Sequence, residues 1–202
     1  MATELRRVVF VLLPGTHPGC LMPALSVLLS ANRMAEELCY QIECCTLDEQ
    51  SMRAADGLLL QPSPLEQCAP GFAQLWLVAE HLSASDQLPD WLAPRLQQWQ
   101  SEGVLIGGLE GGVAALAASG LLDGGQCAVH WRMVDEFRER FPAVEAITQL
   151  FTREAQVCSS SGGQAGTDLL LAIVAQEQGQ DLAALVAEDL VIERTRDGSE
   201  RQ

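Results

Sequence analysis

The first β-branched and leucine run, at 8–13, contains no polar residue and ends abruptly at Pro14-Gly15. A strand without alternation has to be covered on both faces, which is the situation of a strand inside a parallel sheet. Residues 40–46 alternate through Tyr40, Ile42 and Cys44 and suggest a second strand, and further short strand-like runs recur at 58–60, 75–78, 104–107, 127–130, 147–152 and 157–159. Between them lie segments with helical spacing at 18–38, 90–100, 111–119, 131–140, 167–178 and 182–190. Leu92, Leu96 and Trp99 are one such face, and Gly103 stops it. Strand and helix alternate from end to end. The pattern predicts a single α/β domain, a mostly parallel sheet with helices on both faces.

A chain of 202 residues, 48% of them hydrophobic, can bury a sizeable core without disulfide staples. Its twelve basic residues are all Arg and face 27 acidic ones, for a formal charge of −15. Such a surface repels phosphate, so these residues are poor at holding nucleic acid or anionic lipid. Neutral and cationic small molecules remain. The seven Cys show no C-x-x-C pair and read as buried free thiols of a reducing cytoplasm. The run at 8–13 is shorter than a signal-peptide core, and no run is long enough to span a membrane. A soluble, cytoplasmic protein is expected, without a membrane partner. The tail 194–202 is polar and aperiodic and carries three of the twelve Arg. It reads as a linker or a frayed terminus.

The turn with the most chemistry in it is Leu105-Ile-Gly-Gly-Leu-Glu-Gly-Gly-Val113. A buried strand enters an Ala-rich helix through a residue flanked by glycines, the form of a nucleophile elbow, with Gly108, Glu110 and Gly112 in place. A glycine-rich strand–helix turn can equally be structural. A carboxylate at position 110 is a poor nucleophile for acyl transfer.

The stretch Gly107-Gly-Leu-Glu-Gly-Gly-Val-Ala-Ala-Leu-Ala-Ala-Ser-Gly-Leu-Leu-Asp-Gly124, then Val129-His-Trp131 and Arg140-Phe-Pro142, resembles the amidotransferase-like (ThiJ/PfpI-type) sensor domain of GlxA-type AraC-family transcription regulators. Leu13-Pro-Gly15, Ala31-Asn-Arg33, Ser160-Ser-Gly162 and Thr167-Asp-Leu169 fit the same pattern, and the closing Gln202 resembles the family's interdomain junction. The resemblance implies a flavodoxin-like three-layer α/β/α sandwich of the class I glutamine amidotransferase-like type. It implies a homodimer, a ligand pocket at the elbow, and a sensing domain over 1–193. Residues 194–202 would link it to a helix-turn-helix DNA-binding domain outside this chain. The effector of such sensors is often an amine or quaternary ammonium compound. No enzyme activity and no cofactor are expected; the alternative is a free-standing ThiJ/PfpI-type hydrolase, lyase or thiol chaperone.

Departures from the family's catalytic members support the sensor. Where they have an elbow Cys, this chain has Glu110; their facing Glu falls at Cys20, and their oxyanion-holding Gly-Gly pair at Ala79-Glu80. His130 is retained. The exchanged pair, Cys20 as thiol and Glu110 as acceptor, could keep one hydrogen bond across the cleft. Glu80 and Glu110 would share a rim, and two close carboxylates invite a cation between them. Two blander readings stand beside this: Glu80 faces water, and Glu110 caps its own helix. Trp131 could offer a ring to an ammonium group or pack in the core, whereas Trp76, Trp91 and Trp99 read as core or helix-face residues. His17 borders the pocket or is an exposed loop residue, His81 is a rim residue, and Gly111 lines the turn. A metal site built from His17, His81 and His130 has no ligand spacing behind it.

Overall fold

The computed structural model describes residues 5–47, 52–53, 59–60, 62–68 and 70–202. The strands are β1 (Arg6–Leu12), β2 (Tyr40–Thr46), β3 (Met52–Arg53), β4 (Leu59–Leu60), β5 (Ser63–Pro64), β6 (Gln74–Ala79), β7 (Leu105–Glu110), β8 (Gln126–Ala128), β9 (Glu145–Ile147), β10 (Phe151–Glu154) and β11 (Val157–Ser160). The helices are α1 (Pro18–Met34), α2 (Leu92–Ser101), α3 (Val113–Ala118), α4 (Val134–Arg140), α5 (Gln164–Gln178) and α6 (Gln180–Asp189). Leu58, assigned to a strand from sequence, lies outside the described residues.

Seven strands form the main sheet in the order β10-β11-β7-β6-β1-β2-β5. All its pairs are parallel except the β10–β11 edge hairpin. The flavodoxin-like α/β expectation therefore holds. β1 shows why its run is apolar throughout: Val9, Val11 and Leu13 face α2, α3 and α4, while Val8, Phe10 and Leu12 face α1, α5 and α6. Trp76 is completely buried in the core on the α1, α5 and α6 side. The Asn-Arg pair at the end of α1 ties three elements together. Asn32 Oδ1 accepts from the Cys39 and Tyr40 amides, and Arg33 binds Asp189 at the end of α6.

Four readings need correction. The run at 147–152 is not one strand. It divides between β9, which pairs with β8 in a separate parallel ladder, and β10, on the edge of the main sheet. Cys68 is not a free thiol; it is paired with Cys45, while Cys20, Cys39, Cys127 and Cys158 are buried and free. Trp131 is not in the core, being 58% exposed. The tail is not frayed. Residues 194–202 dock onto α5 and β10, because the carboxylate of Asp168, 5% exposed on α5, needs a partner and Arg196 supplies it.

The chain passes from β1 to β2 on one side and later returns to lay β6 on the other side of β1. That is a switch in strand order, and the crevice beyond the strand ends there is where this architecture places ligands. The loop after β1, the end of β6 and the end of β7 all open into it. No helix among the described residues is long and apolar enough to cross a membrane.

Candidate functional site

β7 continues farther than its apolar run suggests, and Glu110 is its last residue, opposite Ala79 of β6. Glu110 adopts φ +54°, a left-handed conformation that a side chain enters at a cost. The turn then brings Gly112 against β6: a Cβ there would lie 2.0 Å from the Leu77 carbonyl oxygen. No side chain larger than hydrogen fits, so glycine is required for this close passage. α3 begins at once, with Gly112 as its N-cap and no side-chain cap. The Glu110 carboxylate does not cap its own helix.

It meets Cys20 instead. The Cys20 thiol, 4% exposed on the first turn of α1, faces the Glu110 carboxylate as a weak donor. Burial, then the charge of Glu110, pushes the Cys20 thiol up to about 12, so it is protonated at neutral pH. Burial also raises the Glu110 carboxyl above its usual range. The Cys20 bond lowers it, the charge of Glu80 raises it, and His17 and His81 lower it. Cys20, Glu80, Glu110, His17 and His81 thus lie within electrostatic reach of one another around the strand-order switch. Glu80 is half-buried and pairs loosely with His81 at 3.8 Å. His17 is a half-buried N-cap: its Nδ1 accepts from the Gly19 amide at 2.9 Å.

Gly111 contributes packing rather than a donor. Its amide is bonded to the Ala79 carbonyl oxygen at 2.8 Å, and a Cβ would strike the His81 backbone at 2.6 Å. An oxyanion at the elbow would look to this amide, which is already engaged. His130 and Trp131 form a second group on the loop after β8. Their rings stack at 5.6 Å, the Arg132 guanidinium covers Trp131 at 5.0 Å, and the Trp131 amide donates to Gln202. Burial lowers the His130 imidazole.

Two residues that sequence reasoning passed over build the site. The Thr16 hydroxyl lies 2.7 Å from both the Leu13 and Val78 carbonyl oxygens, pinning the loop after β1 to β6. Gly162, at φ +96°, packs against Glu110: a Cβ there would fall 2.7 Å from the Glu110 side chain. Its signals in the sequence were the Ser160-Ser-Gly162 motif and the adjacent glycines before α5.

Elsewhere, a cavity of about 720 Å³ opens at the opposite end of the sheet, lined by Arg6, Arg153, Glu177 and Asp197 among others. Its polar groups are engaged with one another: Arg153 with Gln176, and Glu177 with Tyr40 and Gln74. Trp91 and Trp99 line a separate, more apolar cavity with Phe72 and are partly buried against the core. Among the described residues no group of three or more His, Cys, Asp or Glu is placed to hold a metal ion.

The chain is 38% identical to the HTH-type transcriptional regulator ArgR of Pseudomonas aeruginosa, over all of this chain and 60% of that protein. It is 33% identical to the regulator CdhR of the same organism, over 96% of this chain and 57% of that protein. It is 26% identical to the regulator GlxA of Rhizobium meliloti, over 80% of this chain and 50% of that one. The chain thus spans 60% or less of the length of these relatives. No model of a protein family matches it. Among solved structures it is similar to an AraC family transcriptional regulator from Pseudomonas putida, with TM-score 0.78, 24% identity and coverage of 92% of this chain and 99% of that one. A ThiJ/PfpI family protein from Pseudomonas syringae shares the fold with TM-score 0.79 and 18% identity, over 96% of this chain and 78% of that one. Topology and relatives agree: along its whole length the chain is similar to HTH-type transcriptional regulators, and it has the fold of the ThiJ/PfpI family protein.

Proposed function

We propose that this domain is a non-enzymatic sensor whose elbow cleft binds a cationic effector, an amine or quaternary ammonium compound. The observation that carries the reading is the state of Glu110. Its carboxylate is half-buried, the group facing it is a weak thiol donor, and a second carboxylate, Glu80, acts against its ionisation. A cation in the cleft would offset both the burial and the repulsion. Cys20, His17 and Gly111 would shape the cleft around it. His130 and Trp131 would join only if the ligand reached the loop after β8.

Several observations support a sensor over an enzyme. The elbow residue is a carboxylate, the thiol facing it is protonated, and the Gly111 amide is bonded to Ala79. DNA contact is assigned to a helix-turn-helix domain outside these residues, as the relatives' names suggest, with 194–202 as the connection. Signalling would run through a homodimer whose geometry the effector biases, binding one state more tightly than the other. Calorimetric titration with tetramethylammonium and with putrescine tests the site. Wild type should bind at least one, and Glu110→Gln should lose that binding at least tenfold, about 1.4 kcal/mol. A change below twofold overturns the role of Glu110.

A further inference from the structure

The tail and the elbow hold the same short piece of chain from opposite sides. Arg196 makes three hydrogen bonds to buried Asp168: its amide to Oδ1 at 3.0 Å, and Nε and Nη2 to Oδ2 at 2.9 and 2.6 Å. The carbonyl oxygens of Gly198 and Glu200 both accept from the Leu150 amide at 3.0 Å. Gln202 Nε2 donates to the Val129 and Gln149 carbonyl oxygens at 2.9 Å, and its Oε1 accepts from the Trp131 amide. On the other side, the Ser161 amide and hydroxyl both donate to the Leu150 carbonyl oxygen, at 2.9 and 3.1 Å. Gly162 follows and packs against Glu110. α5 starts two residues later and carries Asp168. Leu150 therefore holds the tail through its N–H and, through its C=O, the 160–163 turn that packs on the elbow. Asp168 stands on the helix that this turn launches.

We propose that residues 194–202 are a latch that reads the elbow. The inference rests on the elbow being the effector site. A cation that draws the Glu110 carboxylate toward itself relieves its contact with Gly162. The 160–163 turn then shifts, and with it the carbonyl partner of Leu150 and the first turns of α5. The docked tail loses register at both of its main anchors, Leu150 and Asp168. The two states are tail docked and tail released, and the effector favours one of them. Linkage makes the coupling measurable from either end, since whatever lets the elbow move the tail must let the tail move the elbow by an equal free energy.

Amide exchange followed by NMR on the whole chain reads both ends at once. Asp168→Asn weakens the latch far from Glu110. The Leu150 amide, covered by the tail, should exchange about tenfold faster or more. The Ser161 and Gly162 amides should accelerate by roughly threefold or more, and affinity for tetramethylammonium or putrescine should change by a similar factor. Gln202→Ala, at a surface position, should act in the same direction more weakly and serves if Asp168→Asn does not fold. Unchanged exchange at Leu150 in both variants means there is no latch. Faster exchange at Leu150 with Ser161, Gly162 and cation affinity unchanged means a latch that reads nothing, and overturns the proposal. If neither cation binds wild type, the cationic reading of the elbow fails, and exchange at Ser161 and Gly162 still decides the coupling.

Discussion

Two half-buried carboxylates sit at opposite ends of the sheet, and their surroundings differ sharply. Glu177, near the end of α5, accepts from Tyr40 at 3.0 Å and from Gln74 at 2.9 and 3.0 Å, with Arg6 at 3.7 Å. Glu110, at the end of β7, has a thiol donor and an opposing carboxylate. Burial raises both groups. At Glu177 the interactions with Arg6, Tyr40, Gln74 and Arg153 all pull the other way. Satisfied polar networks hold a fold together, and partly satisfied ones carry stored cost. Glu177 therefore belongs to the architecture, joining α5 to β2 and β6. Glu110 is left with unmet demand, which a ligand can supply.

If this division is right, removing Glu177 is the more damaging change. Glu177→Ala strands the Tyr40 hydroxyl and the Gln74 amide around a void. The expected loss is about 3 kcal/mol in urea unfolding. A loss below about 1 kcal/mol would mean that the network is ornamental and would erase the contrast. Next in size is Gly162→Ala, which strains a left-handed position and forces a methyl into Glu110. About 2 kcal/mol of stability should go, and cation binding at the elbow should weaken with it. Retained affinity would show that the Glu110 rotamer does not depend on the turn before α5.

The two ends were unequally legible in the sequence. The elbow could be read because glycines at fixed offsets from Glu110 report a tight strand–helix turn, a local requirement. The apolar run nevertheless stopped at Gly107, since periodicity does not register Leu109 and Glu110 as the continuation of a glycine-containing strand. The Glu177 network was invisible: Tyr40, Gln74 and Glu177 are far apart in the chain, and each alone looks like an ordinary strand or helix residue. The docked tail misled for a related reason. A polar, aperiodic segment resembles a linker, and what orders it is distant in the chain: the buried Asp168 carboxylate, the Leu150 amide and the partners of Gln202. The split of 147–152 into two ladders follows from tertiary pairing that an apolar run does not encode. Trp131 was open to a core reading by its hydrophobicity alone, yet its amide is held by Gln202 at the surface.

Glu110→Gln sharpens the comparison from the other side. An isosteric amide removes a buried charge that nothing fully satisfies, so stability at neutral pH should rise or stay within about 1 kcal/mol. The pH dependence has a definite sign. A carboxyl raised in the folded state binds more protons there than in the unfolded chain, so its contribution falls as pH climbs from 4.5 through the folded value. That downward slope should flatten in Glu110→Gln. Cation binding prefers the ionised group, so affinity should climb over the same range. A slope unchanged in Glu110→Gln would move the raised carboxyl elsewhere, with Glu177 the first alternative.

The smallest effect is expected at Cys20. Serine keeps a donor at the same place and replaces a weak S–H with a stronger O–H, in a slightly smaller side chain. The better bond lowers the Glu110 carboxyl, and the burial of a hydroxyl offsets much of that gain, so stability in Cys20→Ser should change by less than about 1 kcal/mol. Cation binding at neutral pH should survive. The midpoint of its pH dependence should move down, because Glu110 ionises more readily beside a hydroxyl. If cation binding disappears while the fold is intact, the sulfur itself touches the ligand, and the cleft is organised around Cys20 as much as around Glu110. If the midpoint does not move, the hydrogen bond between the two side chains has no hold on the titration of Glu110. The repulsion from Glu80 then becomes the interaction that tunes the site.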